Sequence, residues 1–174
     1  MAPYYHDLGR RLISAELTAT LTDLARQCRR EFVEYKTAAG GRSDGNNFLA
    51  GARLAALPAV EDLVSAMARP CQPVLMLHPA GTVVMRHVDD ANGRNSVLIT
   101  PLWPVKDFPP TRFYVESALA AECHYPSGNT CLINTQICHD VAVSDKPRLN
   151  FQLGFNEPFE KILGLLQEDR LVKR

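Results

Sequence analysis

The apolar residues Ile13, Leu17, Leu21, Leu24, Cys28 and Phe32 recur at spacings of three and four, and this stripe predicts an amphipathic helix from Ser14 to Tyr35. The stretch from Thr37 to Gly51 carries four glycines, two asparagines and an Asp-Gly pair, which is turn chemistry and predicts a surface loop. Pro58 suits the first turn of a helix. Val60, Leu63, Val64 and Met67 follow it on one face before Pro70, and together they predict a short second helix.

After Pro70 the helical spacing gives way to short apolar runs separated by Pro, Gly and Asn. The segments Val74 to His78, Thr82 to Asp89, Ser96 to Thr100, Arg112 to Glu116, Thr130 to His139 and Arg148 to Phe155 are rich in Val, Ile, Leu, Thr and Phe and read as strands. Strands at this density with no helices between them predict a sandwich or barrel rather than a parallel sheet. A last helix is expected from Asn156 as N-cap, with Pro158 in its first turn and Phe159, Ile162, Leu163 and Leu166 on one face. The fold class is therefore mainly β with flanking helices, in the N-terminal third and at the C-terminus. The chain reads as a single domain, 1–174. A helical part over 1–70 packs on a β core over 71–155, and a helix follows over 156–174.

Composition narrows the function. The chain is 46% hydrophobic and 22% charged, as globular domains are. Its 19 Lys and Arg balance 19 Asp and Glu, which gives no net field for nucleic acid or an anionic membrane. The uncharged stretch from Pro70 to Met85 holds three prolines and falls short of the roughly 20 apolar residues of a spanning helix. Met1 to Arg11 has no apolar core of a secretory signal. Five cysteines with no Cys-x-x-Cys pair argue against a disulfide framework and a structural zinc site, so the expected setting is cytoplasmic.

The chemistry concentrates at strand ends. Alternation from Thr82 to Asp89 puts Val83, Met85, His87 and Asp89 on one face, and turns Asp90, the other candidate carboxylate, away from His87. From Thr130 to His139 it puts Cys131, Ile133, Thr135, Ile137 and His139 together and points Cys138 the other way. Two histidines closing apolar faces want a partner such as a metal. Beyond the turn Ser144-Asp145-Lys146-Pro147, Arg148 shares a face with Asn150 and Gln152, opposite Leu149, Phe151 and Leu153. A guanidinium inside a barrel must meet an anion, and its fork suits a carboxylate. His87, Asp89 and His139 on neighbouring strands make the facial triad of non-haem iron(II) oxygenases. His78, His124 and Trp103 read as structural or packing residues.

Three blocks carry a resemblance to a known family. They are His78-Pro79-Ala80-Gly81 through Met85-Arg86 to His87-Val88-Asp89; Arg94-Asn95-Ser96-Val97-Leu98-Ile99; and Gly128 through Asn134-Thr135 to His139-Asp140-Val141 and Pro147-Arg148-Leu149. Over about residues 74 to 155 the chain resembles the iron(II)- and 2-oxoglutarate-dependent oxygenases, nearest the aspartyl/asparaginyl β-hydroxylase and proline hydroxylase-like branch. The resemblance implies a double-stranded β-helix (jelly roll, cupin-like) core. It implies that His87, Asp89 and His139 bind Fe(II), and that Arg148 binds the distal carboxylate of 2-oxoglutarate. Asn150 and Ser96 are further candidates for holding this co-substrate, and dioxygen takes the last metal position. The implied reaction hydroxylates an unactivated C–H bond of an amino acid, peptide side chain or small metabolite and releases succinate and carbon dioxide. The alternative is a metal-binding cupin-type protein (isomerase, sugar-binding module or sensor) without 2-oxoglutarate chemistry, and a buried Arg148 discriminates between the two. The Thr37 to Gly51 loop and the proline-rich Pro101 to Pro110 segment are candidate lids.

Overall fold

The computed structural model describes residues 4–36, 42–50, 52–89 and 93–173. Eleven strands among them form two antiparallel sheets. The strands are β1 (Tyr5–Asp7), β2 (Val33–Lys36), β3 (Arg42–Ala50), β4 (Gln72–His78), β5 (Val84–His87), β6 (Ser96–Trp103), β7 (Thr111–Val115), β8 (Ala118–Cys123), β9 (Cys131–Asn134), β10 (His139–Val141) and β11 (Arg148–Phe155). The larger sheet runs β1-β9-β6-β11-β4-β3-β2 and the smaller β5-β10-β7-β8. From β4 to β11 the chain passes repeatedly between β9-β6-β11-β4 and β5-β10-β7-β8, which is the double-stranded β-helix expected from the sequence. β1 extends the larger sheet at one end, and β3 with β2 extends it at the other.

The larger sheet has two unlike faces because β11 alternates as its sequence dictates. Leu149, Phe151 and Leu153 face outward into the main core, where Leu75 and Leu98 of the neighbouring strands join them. Helix α1 (Ala15–Gln27) lays Leu17, Leu21 and Ala25 on that core, α3 (Pro58–Ala66) adds Val60, and α4 (Phe159–Gln167) adds Phe159 and Ile162. The inner face looks across at the smaller sheet. Val97, Ile99, Cys131 and Ile133 there meet Phe113, Cys123, Phe108 and Tyr125 in a second, smaller core.

The N-terminal third departs from expectation. Ser14 caps α1 as its type prefers, its hydroxyl accepting the Leu17 N–H at 3.0 Å, but the helix stops at Gln27. A 3-10 turn over Arg29–Glu31 follows, and the chain then enters β2. Part of the segment expected as a surface loop is a strand. β3 pairs Asn47 with Leu77, Phe48 with Met76 and Leu49 with Leu75. An available sheet edge satisfies backbone groups even where the residues are turn-prone, and this tertiary gain overrides local propensity. The rest of that expected loop, residues 37–41 and 51, lies outside the described residues. The larger sheet thus crosses the boundary drawn near residue 70. α2 (Ala52–Ala55) precedes α3, which begins at Pro58 as expected. α4 begins two residues later than expected, with Pro158 rather than Asn156 as N-cap. β8 had no counterpart in the sequence reading.

Leu21 is fully buried between α1 and the sheet. Leu21→Ala should lower the unfolding free energy by about 2–5 kcal/mol, and the same change at half-buried Leu24 by less. Chemical denaturation of the two variants checks this.

Candidate metal centre

His87 ends β5, His139 begins β10, and the pairing of these strands sets the two residues opposite each other. Their ring centroids stand 4.4 Å apart at an interplanar angle of 46°. Each ring is oriented by its own chain: Nδ1 of His87 meets the Met85 carbonyl at 2.7 Å, and Nδ1 of His139 meets the Ile137 carbonyl at 2.9 Å. A carbonyl oxygen only accepts, so the proton belongs on Nδ1 and the lone pair is left on Nε2, the form that binds a metal. Asp89 lies two residues beyond β5, where its N–H donates to the Thr135 carbonyl at 3.0 Å. Its Oδ1 is 3.4 Å from Nε2 of His87. The three ligand atoms lie within 4.8 Å of one another, close enough for one ion to draw them together. Asp90 lies outside the described residues.

The alternation behind these expectations is broken in β5. His139 faces His87, but Val141 faces Val84, so the ladder slips between the two pairs. This irregularity reverses the parity. Val84 is buried in the cavity wall beside His87, while Val83 and Met85 are exposed at 46% and 55%. The expected strand from Thr130 to His139 is two strands. The chain leaves the larger sheet after Asn134, turns, and enters the smaller sheet at His139. Asp140, on the other face of β10, accepts from Arg112 Nε at 2.7 Å, Arg112 Nη2 at 3.1 Å and the Tyr114 hydroxyl at 2.9 Å. Those bonds tie β10 to β7 and hold His139 in place.

Arg148, the first residue of β11, is 1% exposed and points into the same cavity. Its Nη1 donates to the Ala142 carbonyl at 2.7 Å and its Nη2 to Nδ1 of His78 at 3.0 Å. Its Nε has no partner, and among the described residues no carboxylate pairs with it. Burial pulls its pKa down to about 10. Burial, and then the Arg148 charge, hold His78 well below the ordinary histidine range. Asn150 lies on the Arg148 face, where its Oδ1 accepts from Gln152 Nε2 at 2.8 Å; Gln152 Oε1 in turn accepts from Arg94 Nη2 at 2.6 Å. Arg94 lies against Gly154, whose missing side chain makes room for it. Ser96 is elsewhere. It faces the opposite side of the larger sheet, donates to the Glu157 carbonyl at 3.0 Å and does not line the cavity. Trp103 is half exposed at the end of β6.

The sequence assigns no role to Tyr125, Thr111, Arg94 or Thr135, all of which lie in the cavity wall. Tyr125 is buried, and its hydroxyl pairs with Thr111 Oγ1 at 2.8 Å. It follows β8, so no predicted strand could aim it. Thr135 donates to the Arg94 carbonyl, linking the turn after β9 to the start of β6.

No protein-family model matches the sequence, and no curated protein does. Solved structures do match. A Pseudomonas putida prolyl-4-hydroxylase is similar with TM-score 0.62 and 17% identity, over 90% of this chain and 94% of that one. A Trichoplax adhaerens prolyl hydroxylase, solved with a hypoxia-inducible-factor peptide fragment, gives TM-score 0.64 and 14% identity over 94% and 87%. A non-haem α-ketoglutarate-dependent epimerase of nogalamycin biosynthesis gives 0.61 and 14% over 87% and 75%. The fold is that of the 2-oxoglutarate-dependent oxygenases. As in the sequence-derived expectation, proline hydroxylases stand among its structural neighbours, alongside an epimerase of the same oxygenase fold. Among the described residues no helix is long and apolar enough to cross a membrane.

The centre's ionisation carries a pH dependence. Burial, reinforced by His87, lowers the His139 pKa from 6.5 to about 4. His87 moves upward, since its hydrogen bond and ion pair with Asp89 outweigh its burial, and Asp89 moves downward against its own burial for the same reason. The unfolded chain takes up protons near pH 6.5 that native His139 refuses until about pH 4 and native His78 also refuses. Metal-free protein should therefore lose stability as pH falls through this window, His139 alone accounting for on the order of 3 kcal/mol at about 1.4 kcal/mol per pH unit. Protonation of His87 pulls the other way. Thermal melts of metal-free protein from pH 7 to pH 4 check the sign, and His78→Asn should flatten part of the slope.

Proposed function

We propose that the protein is an iron(II)- and 2-oxoglutarate-dependent dioxygenase. It hydroxylates an unactivated C–H bond of an amino acid, a peptide side chain or a small metabolite, with release of succinate and carbon dioxide. One observation carries the reading: a buried guanidinium with no carboxylate partner among the described residues shares a cavity with two imidazoles and a carboxylate arranged for one ion. A metal cupin without 2-oxoglutarate has no use for that charge.

The residues fit both groups. Two Nε2 lone pairs and one carboxylate are the donor set of a non-haem iron(II) site with open positions. Arg148, with Tyr125 and Thr111 in the same wall, suits a carboxylate at the far end of a short chelating acid. A Streptomyces hygroscopicus neighbour was solved with nickel and 2-oxoglutarate bound, and the nogalamycin epimerase with Fe3+ and α-ketoglutarate. When bound, iron and 2-oxoglutarate supply the activated oxygen.

The chain's own part is placement and exclusion. His87 and His139 present Nε2 because their Nδ1–H groups are held by backbone carbonyls. Asp89 brings the negative charge, and the charge of Arg94 favours its ionised form. Arg148 orients the co-substrate from the far end, and Asn150 is positioned on the same strand face. Val84, Val97, Ile99 and Ile133 make the remaining wall apolar and keep water from the reacting atoms. Five free cysteines suit a reducing, cytoplasmic setting. The even charge balance speaks for a small-molecule or peptide substrate over a nucleic acid.

Addition of 2-oxoglutarate to the iron(II) protein without oxygen should produce the weak visible charge-transfer band of the chelate; its absence overturns the reading. His87→Ala, Asp89→Ala and His139→Ala should each abolish 2-oxoglutarate-dependent succinate formation with circular dichroism unchanged. Arg148→Lys keeps the charge but loses the fork, a change worth about 2–3 kcal/mol. The apparent 2-oxoglutarate constant should rise roughly 30- to 150-fold with metal affinity unchanged.

A further inference from the structure

We propose that His78 is a positioning residue for the 2-oxoglutarate anchor. It takes one N–H of Arg148 as a neutral acceptor, aims the guanidinium into the cavity, and leaves its positive charge for the co-substrate. The inference rests on the reading that Arg148 holds the distal carboxylate.

His78 ends β4 and pairs with Arg148 across the ladder, so the strand register itself sets the two side by side on the inner face. Both are buried. Nδ1 of His78 accepts from Nη2 at 3.0 Å, which puts the imidazole proton on Nε2. The Ala142 carbonyl takes a second N–H, from Nη1. A guanidinium has five N–H groups, so Nε and one hydrogen on each terminal nitrogen are left over, and the buried Nε is without a partner. Both acceptors are neutral: they fix the orientation of the fork without cancelling its charge. A carboxylate at position 78 would satisfy Arg148 in the empty protein and compete with the ligand for the same charge. An apolar side chain would leave the fork unaimed and one more buried N–H unpaired.

Position 78 therefore distinguishes acceptor from charge. The measurements are calorimetric titration of 2-oxoglutarate into anaerobic iron(II) protein, and the melting temperature of protein free of metal and co-substrate. His78→Asn keeps a neutral acceptor and should stay within about threefold of wild type in 2-oxoglutarate affinity. His78→Asp adds the charge; it should weaken binding by about 30-fold or more and raise the melting temperature of the empty protein above that of His78→Asn. His78→Phe should weaken binding about tenfold, with turnover at saturating 2-oxoglutarate unchanged. Equal affinity and equal melting temperature of the Asn and Asp variants would overturn the proposal, and that comparison stands even if the Phe variant does not fold. Arg148→Lys separates the two failures. If it binds 2-oxoglutarate as wild type does, the anchor reading falls; if it loses binding while His78→Asp retains it, only the role of His78 falls.

Discussion

A full positive charge held between two sheets with no countercharge among the described residues is the constraint on which the site depends. Removing a guanidinium from water costs several kcal/mol even after relaxation, and Arg148 recovers only part of that from a carbonyl and an imidazole. The rest of the structure must carry the difference. It does so with the same strand: Leu149, Phe151 and Leu153 alternate with Arg148, Asn150 and Gln152 and bury their apolar area under three helices. β11 is paired on both sides, by β4 and β6, so the polar inner face cannot rotate outward without breaking two ladders. Outer-face burial stabilises an inner face that is expensive by itself, and the function proposed here draws on that expense.

The three candidate metal ligands are held differently. They sit where strands end: His87 at the last residue of β5, His139 at the first of β10, and Asp89 in the segment beyond. Backbone pairing brings the two histidines together, and the Asp140 cluster on the back of β10 fixes the strand from outside. Neither device relies on the ligands' own side chains, which keeps their nitrogen and oxygen atoms free for an ion.

How much of this could be read from the sequence depended on whether chemistry coincided with regular alternation. β11 pairs with β4 without a slip from Arg148 to Gly154, and Arg148, Asn150 and Gln152 face as their spacing says. His87, Asp89 and His139 were identifiable because charged and imidazole groups closing apolar runs are costly unless used. The neighbours of His87 were misassigned, since the slip in the β5–β10 ladder leaves no mark in the composition. β2 and β3 were missed for a different reason. The residues of β3 favour turns, and only the free edge of β4, a partner distant in sequence, makes them a strand; β2, at the end of the stripe read as helix, pairs in turn with β3. Tyr125 and Thr111 meet from separate segments across the small core, and periodicity holds no information about such a meeting.

The histidine rings take their orientation from main-chain carbonyls two positions upstream, at Met85 and Ile137. Any amino acid supplies that oxygen. Many enzymes set their imidazoles with a dedicated carboxylate, and a point mutation can erase it; here the steering group is shared by every residue type. The side chains around the centre are therefore at liberty to drift over generations while the centre's geometry persists. Such tolerance accords with an architecture that this chain shares at 14–17% identity with prolyl hydroxylases, one of them solved with a peptide fragment, and with an epimerase of nogalamycin biosynthesis.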